Sequence, residues 1–261
     1  MTTVFKFGGA SIKDADAIRH LAPLIDQYKE RPLVVVVSAM GKTTNKLEAL
    51  LAAARDKRQA DTYRECFEAL QAEYREVTEA LFGDAADSPA EQVNALFHEL
   101  DEQHRKYHQE SYAKHYDQTV CYGELISTTL VAAWLNHCGM ATEWHDAREL
   151  VRTDACYQAA NLDWAATTNA IRKRLMDNES VILTQGFISG SENGESTTLG
   201  REGSDFSAAI FAHCLDAHEV VLWKNVPGLF NADPERCDNA LQLMHLSYAE
   251  AIELARNGAK V

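Results

Sequence analysis

The chain has 261 residues, 39 of them acidic against 25 lysines and arginines, for a net charge of -14. Such a surface repels phosphate backbones and anionic lipid, which argues against nucleic-acid or membrane partners and requires a local basic pocket for any anionic substrate. No apolar stretch is long enough to span a bilayer, and Cys66, Cys121, Cys138, Cys156, Cys214 and Cys237 are scattered without a C-x-x-C pair; this predicts reduced thiols in a cytoplasmic protein.

Thr3 to Phe7 reads as a strand ending on Gly8-Gly9, and Ile12 to Tyr28 follows with apolar residues at helical spacing. Lys6 interrupts the strand just before the glycines. It suits either an edge strand, where lysine discourages aggregation, or a phosphate site, where an ammonium beside glycine amides neutralises oxygens. Leu33 to Val37 is a continuous apolar run, typical of a parallel strand covered on both faces. The segment Ser38-Ala39-Met40-Gly41-Lys42-Thr43-Thr44-Asn45 then opens a second strand-loop-helix unit. It is no Walker loop, because Val36 stands where that motif has its first glycine. Ser38, Thr43 and Thr44 still offer hydroxyls, either to a ligand or, for the threonines, as caps of the next helix.

Tyr63, Phe67, Leu70, Tyr74, Val77 and Leu81 keep a three/four spacing, and after Gly83 to Pro89 a second series runs through Val93, Leu96, Phe97 and Leu100. These predict a helical hairpin inserted at about residues 47–115, with a further helix near Glu124 to Asn136. His104 and His108 lie one turn apart without a third ligand nearby, which places them on a solvated face. Glu124, at the entrance of its helix, suits either a first-turn acid facing the helix dipole or a ligand group.

Thr142 to His145 reads as a short strand, Trp164 to Met176 as a helix, and Ser180 to Ile188 as a strand leading to a hairpin turn at Asn193-Gly194. Thr197-Thr198-Leu199-Gly200-Arg201-Glu202-Gly203-Ser204-Asp205 follows, with charges of both signs beside two glycines and ahead of an apolar helical run. Glycines let backbone approach a ligand, helix-start amides favour anions, and Arg201 can grip a carboxylate through two parallel bonds. The alternative is a polar surface loop capping the helix through Ser204 or Asp205. Phe206 to Leu215 reads as helix, Glu219 to Trp223 as strand and Tyr248 to Asn257 as helix, with Pro-Gly and Asp-Pro turns between the last two. The alternation predicts one α/β domain, a three-layer αβα sandwich on a mostly parallel sheet, with ligands at the carboxyl ends of the strands.

In this order, Lys6-Phe7-Gly8-Gly9-Ala10-Ser11, Ser38-Ala39-Met40-Gly41 with Thr44-Asn45, Gly123-Glu124, Thr197 to Asp205, Val226-Pro227-Gly228 with Ala232-Asp233-Pro234, and Gly258-Ala259-Lys260-Val261 resemble the catalytic domain of aspartate kinases, in the amino-acid-kinase superfamily. The match covers essentially all of residues 1–261. It implies a carbamate-kinase-like fold and phosphoryl transfer from MgATP to the β-carboxylate of L-aspartate, giving 4-phospho-L-aspartate at the head of lysine, threonine and methionine synthesis. By similarity Lys6 would neutralise the transferring phosphoryl group and Asp205 would orient Lys6 and substrate. Ser38, Ala39, Thr44 and Ser204 would line the aspartate pocket, with Glu124 on the α-ammonium and Arg201 on the α-carboxylate. Gly8, Gly9, Ser11, Lys224, Asn225, Phe230, Asp233 and Lys260 would serve the nucleotide, with Mg2+ held mainly through its phosphates and no dedicated protein metal site.

The sequence departs from the family pattern at Glu202, where a second glycine is usual, at Asn225, where an aspartate is usual, and at Glu235, where an arginine is typical, with Arg236 next to it. These changes bear on nucleotide affinity. Family members continue into paired ACT regulatory domains, so a chain ending at Val261 is expected to lack feedback control and to form a weakened homo-oligomer. A kinase for glutamate or another small acid, and a binding module without turnover, are the alternatives.

Overall fold

The computed structural model describes residues 1–28, 32–176, 178, 180–224, 228–233 and 237–256. They form two compact units, Met1–Trp223 and Lys224–Val261, taken here one at a time.

In the first unit, strand β1 (Thr3–Phe7) leads through a 3-10 turn into helices α1 (Ala15–Arg19) and α2 (Leu21–Asp26), then β2 (Leu33–Val37). Helices α3 (Thr43–Arg55), α4 (Ala60–Phe82), α5 (Asp87–Tyr107) and α6 (Tyr112–His137) precede β3 (Thr142–His145), the short helix α7 (Ala147–Leu150) and β4 (Arg152–Thr153). Helix α8 (Trp164–Leu175), β5 (Val181–Gln185), β6 (Ile188–Ser191), β7 (Ser196–Thr198), α9 (Gly203–Cys214) and β8 (Glu219–Trp223) complete the unit.

The main sheet has five strands in the order β3-β5-β2-β1-β8, and every pairing in it is parallel. Alternate side chains divide its two faces. Phe5, Phe7, Val35, Val37 and Leu183 join the core beneath α1 to α6. Val4, Val34, Val36 and Ile182 join a second core under α8 and α9. This is the expected three-layer arrangement. It also fixes where Lys6 points, because Lys6 shares the parity of Val4 and faces the α9 side. With β2 on one flank and β8 on the other, β1 is interior, and Lys6 is 7% exposed; the edge-strand alternative fails.

Four other expectations are corrected. The single helix over Ile12 to Tyr28 is broken at His20 into α1 and α2. Pro23 explains the break: it has no N–H for the Arg19 carbonyl, and its ring crowds that oxygen. The strand from Ser180 to Ile188 ends at Gln185, and Phe187 turns through a left-handed φ of 69° into a second sheet, β4-β6-β7. There β6 and β7 pair antiparallel around the expected Asn193-Gly194 turn, with Gly194 at φ 75°. Helix α6 is 26 residues long and starts twelve residues before Glu124, which is therefore no first-turn acid. Finally, His104 is 4% exposed. Its Nδ1 lies 2.9 Å from His115 Nε2 on α6, so only His108 fits the solvated face.

The second unit contains a bridge between Phe230 and Gln242 and helix α10 (Tyr248–Arg256). Ser247 and Glu250 cap α10 reciprocally: Ser247 N–H and Oγ donate to Glu250 Oε2 at 2.8 and 2.7 Å, and Glu250 N–H donates to Ser247 Oγ at 3.3 Å. Among the described residues no helix is long and apolar enough to cross a membrane, and all six cysteines are free thiols.

Candidate active site

The carboxyl ends of β1 and β2, the start of α9 and the middle of α6 enclose a cleft of about 640 Å3. Lys6, Gly8, Gly9, Ser38, Ala39 and Thr44 line one side, and Glu124, Arg201, Ser204 and Asp205 complete it. Ten residues singled out from sequence thus share one pocket. Ser11 does not line it; its hydroxyl donates to the Trp223 carbonyl at 3.3 Å. Lys224, Phe230 and Asp233 belong to the second unit, and Asn225 and Lys260, like Glu235 and Arg236, lie outside the described residues.

Lys6 Nζ stands 2.5 Å from Asp205 Oδ1. Asp205 is in the first turn of α9, whose N-cap is Glu202 without a side-chain capping bond. Neither Ser204 nor Asp205 therefore caps the helix; Thr197 and Thr198 of β7 are fully buried, whereas Arg201 and Glu202 at the tip of the loop are exposed. The pairing fixes the direction of Lys6, whose Nζ lies beside Gly8 at the mouth of the glycine loop.

Glu124 is 3% exposed. Its Oε1 accepts the Ala39 N–H at 3.1 Å, whereas Oε2 is buried with no hydrogen-bond partner. Burial pushes its carboxyl up to about 8, against the lowering effect of the Ala39 amide. Such a group favours a cationic ligand, whose charge would repay its ionisation. Gly123 makes the approach possible: a Cβ there would sit 2.9 Å from the Ala39 Cβ.

Other residues that shape the cleft carried no sequence signal. Tyr112, Tyr116, Gln158 and Phe187 also line it. Asp117, fully buried on α6, binds two distant loops at once. Its Oδ2 accepts the Gln158 and Thr198 amides at 3.0 Å each, and its Oδ1 the Thr198 hydroxyl at 2.9 Å. Burial outweighs these donors and pushes its carboxyl up to about 6. Gln158, Phe187 and Glu202 all line the cleft with left-handed φ of 70°, 69° and 57°. Non-glycine residues persist in that region only where the surroundings over-determine them, as at ligand sites. No spacing rule reports a buried aspartate tying loops together, or a left-handed glutamine.

A parallel sheet between two helical layers, with a charged cleft at its carboxyl end, defines the class. The chain matches the Amino acid kinase family over residues 1–261 and belongs to it. Within that family it is 33% identical to the lysine-sensitive aspartokinase 3 of Escherichia coli (strain K12), across 99% of this chain and 56% of that protein. It is 31% identical to an aspartokinase of Chlamydia trachomatis, again across 99% of this chain and 56% of the other. The fold superposes on E. coli aspartokinase III in complex with aspartate and ADP, the R-state, with a TM-score of 0.88, 30% identity and coverage of 98% of this chain and 56% of that one. The chain thus spans about half the length of these relatives.

Proposed function

We propose that this chain is an aspartate kinase catalytic unit, transferring the γ-phosphoryl group of MgATP to the β-carboxylate of L-aspartate to give 4-phospho-L-aspartate and ADP. The observation that carries the proposal is the open, buried oxygen of Glu124 in the same cleft as Arg201 and the Lys6–Asp205 pair. An α-amino acid with an acidic side chain has one ammonium and two carboxylates, and the cleft offers one group for each. Glu124 takes the ammonium, Arg201 the α-carboxylate, and the β-carboxylate is left beside Lys6. Ser38, Ala39, Thr44 and Ser204 line the space between.

A β-carboxylate is already ionised near neutral pH, so no residue need remove a proton. One of its oxygens attacks the γ-phosphorus, the bond to the β,γ-bridging oxygen breaks, and ADP carries away that oxygen. Catalysis then consists of positioning and charge neutralisation. Lys6 supplies a fixed cation for the transferring group and Asp205 aims it. Gly8 and Gly9 bring backbone to the nucleotide phosphates, and the family resemblance assigns Ser11, Lys224, Asn225, Phe230, Asp233 and Lys260 to the nucleotide as well. Among the described residues no group of three or more His, Cys, Asp or Glu is placed to hold a metal ion. Mg2+ would arrive on the nucleotide phosphates, a mode of binding that needs no all-protein cage. The free thiols and acidic surface support a cytoplasmic enzyme whose partners are L-aspartate and MgATP.

Coupled ADP release with L-aspartate, with L-glutamate and without acceptor tests the proposal, with hydroxylamine added to trap the acyl phosphate. Release and hydroxamate that depend on L-aspartate are expected. Preference for glutamate would reassign the substrate, and nucleotide binding without acceptor-dependent release would make the chain a binding module.

A further inference from the structure

The loop between β2 and α3, which supplies Ser38, Ala39 and Thr44 to the cleft, is held by an unusual set of bonds. Ser38 N–H donates to the Phe7 carbonyl at 3.1 Å, Gly41 N–H to the Gly9 carbonyl at 3.0 Å, and Thr43 N–H to the Met40 carbonyl at 3.0 Å. The two amides between these anchors instead reach side chains one turn apart on α6. Ala39 donates to Glu124 Oε1 at 3.1 Å and Met40 to Ser127 Oγ at 2.8 Å.

Ser127 is the end of a buried hydroxyl chain. Its Oγ donates to the Gly123 carbonyl at 2.6 Å. With that proton committed, it accepts from the Tyr74 hydroxyl at 2.9 Å. Tyr74 in turn accepts from Thr43 Oγ1 at 3.0 Å, which brings the chain back to the far end of the same loop. Tyr74 lies on α4, is fully buried, and packs edge-to-face on Phe97 of α5 with ring centroids 5.8 Å apart. Its hydroxyl thus joins α4 at once to Thr43, at the far end of the loop, and to Ser127 on α6.

We propose that Tyr74, through Thr43 and Ser127, is a positioning residue for amino-acid substrate recognition: it sets the Ala39-Met40 peptide so that Glu124 presents its open oxygen to the substrate ammonium. The inference rests on the assignment of Glu124 to the ammonium given above. Tyr74 touches no substrate. Its effect is to keep Ala39 N–H on Oε1, which leaves Oε2 as the oxygen facing the cleft. Loss of the hydroxyl strands the Thr43 hydroxyl inside the protein, where an unsatisfied group is costly, and takes from Ser127 one of the two donors it accepts, so the loop moves to repair the loss.

The test is Tyr74→Phe in the 261-residue chain, which deletes one oxygen and retains the ring on Phe97. The KM for L-aspartate is expected to rise about tenfold, with the KM for ATP within about twofold of wild type and kcat little changed. Adding Thr43→Val removes one stranded hydroxyl, so the double variant should cost no more in aspartate KM than Tyr74→Phe alone. An aspartate KM within twofold of wild type, or parallel loss of kcat, ATP affinity and melting temperature, would overturn the proposal. Wild-type protein without aspartate turnover would instead overturn the kinase assignment. In that event amide exchange decides the relay, since the Met40 amide must exchange at least about tenfold faster in Tyr74→Phe while α8 amides do not change.

Discussion

Two side chains in the cleft carry opposite electrostatic problems. Lys6 is paired and fixed by Asp205; Lys6→Met keeps the length and removes the cation, and phosphoryl transfer should fall by at least about 100-fold while circular dichroism shows an intact fold. Near-wild-type turnover from folded protein would take Lys6 out of the mechanism. Glu124 is unpaired on one oxygen and raised to about 8 by burial. A carboxyl whose folded value lies above its unfolded one contributes stability at low pH and loses it as pH rises toward the folded value. Glu124→Gln should therefore raise the melting temperature at pH 8.5, leave it little changed at pH 5, and abolish aspartate binding. The same sign predicts that wild-type aspartate affinity rises with pH from 6 to 8 and that binding releases a proton, which calorimetry in buffers of different ionisation enthalpy measures. Binding that takes up a proton, or that survives Glu124→Gln, would refute the ammonium role.

Helices α6 and α9 do most of the positioning. Asp117→Ala on α6 removes the acceptor of all three bonds and leaves the Gln158 and Thr198 amides without their partner, costing roughly 2–4 kcal/mol and raising the aspartate KM as those two segments loosen. At the start of α9, Glu202 has a left-handed φ of 57°, where glycine rests without strain. Glu202→Gly should gain about 0.5–1 kcal/mol and bind aspartate equally well or better; weaker binding would give Glu202 an active role. Both helices show what sequence makes legible. The glycine loops, the strands at Thr3 to Phe7 and Leu33 to Val37, and the order of α and β elements follow from local composition, and ten expected site residues meet in one cleft. The break at His20 required weighing Pro23 above the apolar period. The position of Glu124 within α6 was hidden because polar residues such as Asp117 and Gln118 precede it, and their burial depends on the distant loops they bind. Tyr74 reads from its spacing as an ordinary core aromatic, and nothing local reveals the use of its hydroxyl.

Across the molecule, buried titratable groups set the pH range of stability. Arg55 can only donate, so His115 Nδ1, at 3.2 Å, accepts and His115 Nε2 carries the proton shared with His104. Burial holds His104 down to about 3 and His115 to about 4, with the neighbouring His115 charge adding to the first and Arg55 and His108 to the second, and Asp101 opposing for His104. Histidines depressed on folding supply stability above about pH 6.5, which is lost as pH falls toward their folded values. Glu124 and Asp117 act in the opposite direction, losing stability as pH rises from the ordinary carboxylate range to about 8 and about 6 respectively. His104→Asn should flatten the acid limb of urea-unfolding stability between pH 6.5 and 4; an unchanged slope would show that other groups govern acid sensitivity.

The pairing of Thr3 with Glu219 has a consequence for synthesis. As the chain leaves the ribosome, β1 finds β2 within some thirty residues, about two seconds at the faster elongation rates, but its other edge waits until more than two hundred residues have been made. During that interval an apolar strand edge lies open at what will become the seam between β1 and the outer strand β8, and until α9 is made Lys6 lacks its partner. The cleft can form only after α9 has been made. Interrupted chains that stop short of α9 would therefore hold an unfinished sheet and no usable site, and would be prone to pair edge to edge with one another.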